Sequence, residues 1–130
     1  MADSKGNGGV LCQRGWTRIG CMLIKHAKFE VTDWKKVAAE EKPGEAGSAF
    51  WRTLEAGNAR VRIVEYSPGY RADHWCERGH VLYVLEGELV TELKDGRKFT
   101  LTAGMSYAVG DEEEPHRSVT EKGAKLFIVD

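Results

Sequence analysis

A chain of 130 residues with 19 basic and 20 acidic side chains and a net charge of -1 has the length of one domain, enough to bury a core without disulfides. It has no basic stripe of the kind that tracks phosphates, which argues against nucleic acid as a partner. The longest charge-free apolar run near the start, Ile19 to Ile24, is too short for a membrane span or a signal-peptide core, so the expectation is a cytoplasmic protein with no membrane partner.

Residues 1–21 hold five glycines, Gly6, Gly8, Gly9, Gly15 and Gly20, without periodicity. They read as a flexible N-terminal extension ahead of a domain over 22–130. Leu11, Trp16 and Ile19 allow the alternative that part of it docks as an edge strand. Cys12, Cys21 and Cys76 are an odd set at no disulfide-framework spacing, which fits a reducing compartment. From Leu23 the pattern predicts a short strand, Lys28 to Val31. One short helix follows over Trp34 to Glu40, with Thr32 and Asp33 as candidate N-caps. Turn-forming residues from Lys42 to Gly47 end it.

Almost everything beyond reads as strand. Ser48 to Leu54, Ala59 to Tyr66, Val81 to Leu85, Leu89 to Leu93, Lys98 to Thr102, Ser106 to Val109, Arg117 to Thr120 and Lys125 to Val129 are short and rich in Val, Ile, Phe, Tyr and Thr. Turn residues separate them, Asp95-Gly96 being the clearest hairpin signal and Glu86-Gly87-Glu88 another. The spacing leaves no room for helical crossovers, so the expected fold class is all-β, an antiparallel sandwich or barrel with one short peripheral helix.

The functional signal is a cluster of metal-ligating residue types. Three of the four histidines fall in one constellation with a cysteine: His74, Cys76, His80 and His116. His74 and Cys76 are two apart, so on an extended strand they leave the same face. Gly79 offers a bend that returns His80 to the same neighbourhood. Together the four would offer three imidazole nitrogens and one thiolate to a divalent transition metal, zinc or iron. Each also has a bland reading: a hydrogen-bonded barrel histidine for His74 or His116, a small apolar core residue for Cys76, a surface residue for His80. His26 reads as solvated, and Asp111 to Glu114 as a solvated acidic loop. Arg62 is ambiguous, since Val61 and Ile63 alternate against Arg62, Val64 and Tyr66; facing inward, it would receive a carboxylate. No nucleophile elbow, phosphate loop or paired-carboxylate pattern stands out.

The order of strands, turns and histidines resembles the cupin superfamily. That family's first motif runs Gly, five residues, His-x-His, three or four residues, Glu, six residues, Gly. Here the run is Gly69, four residues, His74-Trp75-Cys76, three residues, His80, six residues, Gly87. Cys76 stands in the place of the second His and His80 in the place of Glu, and both replacements are metal ligands. The second motif is degraded to Gly104 through Gly110, then an acidic stretch to Pro115-His116. Asp73-His74-Trp75-Cys76 also looks like the signature of an Asp-His-x-Cys subgroup. The resemblance implies a jelly-roll barrel, a metal inside it and a homodimer.

Three functions are therefore carried forward. The first is a small cupin holding a divalent ion on His74, Cys76, His80 and His116, with no reaction assigned. The second is an iron-dependent dioxygenase-like enzyme with a three-histidine site, and the third a metal-free small-ligand binding or interaction module.

Overall fold

In the computed structural model, residues 24–130 are described, and eight strands account for most of them. The expected extension over 1–21, with Cys12 and Cys21, lies outside the described residues. The strands are β1 (Glu40–Pro43), β2 (Ser48–Ala56), β3 (Ala59–Tyr66), β4 (His80–Leu93), β5 (Lys98–Thr102), β6 (Ser106–Val109), β7 (His116–Val119) and β8 (Ala124–Val129). All pairings are antiparallel. One sheet runs β1-β2-β3-β8 into the first half of β4, which also pairs β6. The second half of β4 pairs β5 and β7. The arrangement is the expected all-β jelly roll.

β4 is the hinge between the two sheets. The pattern predicted two strands there, separated by a turn at Glu86 to Glu88, whereas the chain makes one continuous strand with a bulge between Val84 and Glu86. A bulge adds one residue to one strand, so it bends the strand and reverses which parity faces inward. Before it His80, Leu82 and Val84 are turned in; after it Leu89, Thr91 and Leu93 are. Gly87 adopts φ 83°, a conformation open to glycine, and a Cβ there would run into the Gly123 carbonyl. What reads locally as a turn signal is the glycine a bulged strand needs to pass close to its neighbour.

Two other expectations are corrected. No strand forms over Lys28 to Val31: Phe29 and Val31 are exposed and pair with nothing among the described residues. The helix shrinks to a single 3-10 turn, Trp34–Lys36, with Asp33 as its cap accepting from the Lys35 amide at 3.1 Å. Isolated helices this short are marginal. Here the Val37 carbonyl accepts from Arg52 Nε at 3.0 Å, and Glu40 to Pro43 pair with β2 instead of extending the helix.

The core sits between the sheets. Val64, Leu82, Val84, Leu89 and Leu126 are sealed from solvent, with Leu101, Ile128, Ala49 and Tyr70 packed around them. The cross-strand register aligns these residues in rows: Val64 faces Leu126, which faces Val84, and Arg62 faces Ile128, which faces Leu82, which faces Tyr107. The second row puts a charged residue inside, resolving the parity that the sequence of β3 left open. On the outer face of β4, Val81, Tyr83 and Leu85 stand exposed. No helix among the described residues is long and apolar enough to cross a membrane.

Candidate metal centre

Backbone pairing brings the first two donors together. Cys76 and His116 form one antiparallel bridge: the Cys76 amide donates to the His116 carbonyl at 2.7 Å and the His116 amide to the Cys76 carbonyl at 3.0 Å. Directly opposed residues of such a pair send their side chains off the same face. His80 opens β4 opposite Val109, with its ring 5.0 Å from that of His116, centroid to centroid. Gly79 helps, though by closeness instead of the expected bend. Its backbone passes so near Val109 to Asp111 that a Cβ would collide with them.

Cys76, His80 and His116 each offer a ligand atom, and these atoms all lie within 4.8 Å of one another. Donors around a tetrahedral zinc sit about 3.3 to 3.6 Å apart, given bond lengths of about 2.0–2.1 Å to nitrogen and 2.3 Å to sulfur. Small rotations of the side chains close that gap. The rings are also fixed as ligands require. His116 Nδ1 donates to the Glu114 carbonyl at 2.8 Å, and His80 Nε2 lies 3.0 Å from the Tyr107 hydroxyl. The other nitrogens, His116 Nε2 and His80 Nδ1, are buried without a hydrogen-bond partner. A buried polar atom left unpartnered is costly and rare, whereas a histidine anchored through one nitrogen with the other free is the usual form of a metal ligand. The residues present therefore fit a divalent ion.

The electrostatics agree. His116 holds the Cys76 thiol below its ordinary pKa, outweighing the upward push of burial, and Cys76 in turn raises His116. The two thus drift towards the thiolate form that binds metal, although no hydrogen bond closes at His116 Nε2. Burial, with the charges of His116 and Arg62, lowers His80 to about 4, so its ring is neutral at neutral pH.

His74 is placed differently from its three companions. The chain bends at Asp73 and His74, so the extended geometry on which a two-residue spacing depends is absent there. Its side chain is 74% exposed, with Nδ1 2.6 Å from Asp73 Oδ1. It lines the same cavity as the other three but is not one of the close trio.

That cavity, about 200 Å³, also contains groups that the sequence did not mark out: Arg60, Tyr107 and Asp130. The side chain of Asp130 is 2% exposed and receives two hydrogen bonds from Arg60, Nε to Oδ1 at 3.1 Å and Nη2 to Oδ2 at 2.8 Å. Burial alone would raise its carboxyl, but Arg60, Arg62 and Arg78 together hold it below the ordinary range. A parity count along β3 and β6 was the available signal, since both arginines and Tyr107 occupy inward positions once the register is known.

No protein-family model matches the chain, and no curated protein matches its sequence. Solved structures do. The polyketide cyclase RemF from Streptomyces resistomycificus is 26% identical, with a TM-score of 0.68 over 78% of each chain. An RmlC-like cupin from Shewanella frigidimarina is 21% identical, with a TM-score of 0.62 over 79% of this chain and 90% of that one. HppE in its Fe(II) form is 18% identical, with a TM-score of 0.65 over 78% of this chain but only 60% of the HppE chain. With its two sheets joined through a bent β4 and these likenesses, the chain takes the cupin fold.

Proposed function

We propose that the protein binds one divalent transition metal ion, zinc in preference to iron, through Cys76, His80 and His116, with a fourth position open to the cavity. The carrying observation is the pair of buried imidazole nitrogens, His80 Nδ1 and His116 Nε2, that lack any partner beside a cysteine. Thiolate plus two imidazoles is a donor set suited to zinc. Three protein ligands and a vacant position distinguish catalytic zinc sites from closed structural ones. A bound ion would supply Lewis-acid polarisation of a ligand oxygen. The chain itself supplies the anchoring of both rings, through Glu114 and Tyr107, and a cavity that limits water. Asp73 to Cys76 carry the likeness to the Asp-His-x-Cys cupins, and the reading extends to that subgroup. His74, on the cavity wall, is the remaining candidate for the open position.

The test is metal analysis of protein purified without chelator, followed by stripping and reloading with cobalt. One equivalent per chain is expected, with a sulfur-to-cobalt charge-transfer band in the near ultraviolet that disappears in Cys76→Ser. One equivalent of iron without any thiolate band would favour the dioxygenase reading, and no stoichiometric metal would favour the metal-free binding module.

A further inference from the structure

The metal centre shares its cavity with a second feature that its chemistry does not use. Arg62 is 6% exposed, lies over the Trp51 ring at 4.3 Å and reaches Asp130 only through Nη2 at 3.4 Å. Its Nε is buried and has no hydrogen-bond partner. Asp130 does not fully serve it, because Arg60 already takes both carboxylate oxygens in a closer fork, and Arg78 approaches the same Oδ2 at 3.8 Å. Three arginines thus share the one side-chain carboxylate of Asp130. Arg117, also on the cavity, contrasts with Arg62: Glu92 accepts from it at 2.9 Å and Trp75 stacks on it at 4.5 Å, so its charge is answered.

A guanidinium whose only role was to bridge Asp130 and Trp51 would not need to bury an idle N–H, since each such group forfeits its solvation. Carboxylates are the ligands that a guanidinium fork matches in geometry and charge. The remaining walls are Tyr66 stacked on Tyr70, Tyr107, Leu82 and Ile128, which suit a flat apolar body.

We propose that this cavity binds a small organic carboxylate bearing an apolar or aromatic body, with Arg62 Nε–H donating to the carboxylate and the body lying towards Cys76, His80 and His116. The proposal rests on the metal reading only for what the body meets; the carboxylate receptor stands on Arg62 itself.

The experiment uses benzoate as probe and benzamide, its uncharged counterpart, as control. Both are titrated into chelator-treated and zinc-loaded protein while the arginine Nε–H signals are followed by nuclear magnetic resonance. The Arg62 Nε–H is expected to move and saturate with benzoate and to ignore benzamide, in both preparations. Arg62→Lys, which keeps the charge and loses the fork, should weaken benzoate at least about tenfold. Asp130→Asn, which removes the competing carboxylate, should tighten it. An Arg62 signal unmoved by benzoate, or benzamide binding equally well, overturns the proposal, and neither outcome depends on a variant that folds. A benzoate response in protein that takes up no zinc would leave the receptor intact and remove the metal reading; zinc uptake with no benzoate response would do the reverse.

Discussion

Two cavities meet at His116 and Tyr107, which line both. The one with Cys76 and His80 carries arginines and Asp130; the other, about 340 Å³, is walled largely by Leu93, Phe99, Leu101, Met105 and Val109. β4 contributes to both, and its bulge explains why they differ. Residues ahead of the bulge turn His80 and Leu82 towards the charged chamber, while residues after it turn Thr91 and Leu93 towards the apolar one. One inserted residue in one strand therefore separates reactive chemistry from hydrophobic wall. Donor atoms and unpaired charges gather on one side, and the other side opens as an apolar cleft in which Phe99 and Met105 stay exposed.

The largest expected effect breaks the charged chamber alone. His116→Ala removes one donor and uncouples Cys76 from its partner, so zinc affinity should fall by about 100-fold or more, beyond what loss of a supporting hydrogen bond costs. Competition with a chromophoric chelator measures it. Unchanged affinity would mean that Cys76 and His116 are neighbours without being ligands.

Leu101→Ala breaks the other chamber. Leu101 is buried on β5 against the core, and truncation should cost about 2–3 kcal/mol in urea unfolding, at the lower end for leucine because the site already borders open volume. Zinc affinity should stay within about twofold, because Leu101 carries no donor atom and only borders the cavity that His116 shares. A parallel loss of zinc binding would show that the chambers act as one.

How much of this was legible beforehand follows the same division. Ala59 to Tyr66, Lys98 to Thr102 and Ser106 to Val109 stand as strands over the very residues expected, because runs rich in β-branched and aromatic residues between turn residues mark a strand's extent even where its inward face is left open. β4 did not, since a bulge uses the same glycine as a turn and only tertiary pairing tells them apart. At the site, Cys76, His80 and His116 are close together as their residue types suggested. Tyr107, Arg60 and Asp130 stayed hidden because their inward parity depends on the register of neighbouring strands. Spacing alone also placed His74 on a strand, where the chain in fact bends.

Acid provides a milder test of the arginine wall. The Asp130 carboxyl is held below its ordinary value of 3.8, so the unfolded chain takes up this proton before the folded one. Its stabilising contribution is complete above about pH 4 and declines as pH falls through the depressed folded value. Urea midpoints measured between pH 6 and pH 2.5 should therefore drop at the acid end. In Asp130→Asn that limb should flatten. An identical acid limb in the variant would assign the loss to other carboxylates.

The smallest effect is expected from His74→Ala, and it sharpens the line between lining a cavity and holding an ion. The ring of His74 is mostly in water, its Nδ1 is turned to Asp73, and no backbone pairing fixes it beside Cys76 as pairing fixes His116. To occupy the fourth position it must leave Asp73 and surrender side-chain freedom, which offsets much of what one more nitrogen contributes. Zinc affinity in the variant should therefore fall by less than about tenfold, against the far larger loss in His116→Ala. The cobalt spectrum adds a second readout: if His74 supplies the fourth nitrogen, its removal shifts the visible ligand-field bands while the thiolate charge-transfer band persists. A loss of affinity as large as that of His116→Ala would make His74 a full ligand, and the bend at Asp73 would then have to rearrange when metal binds.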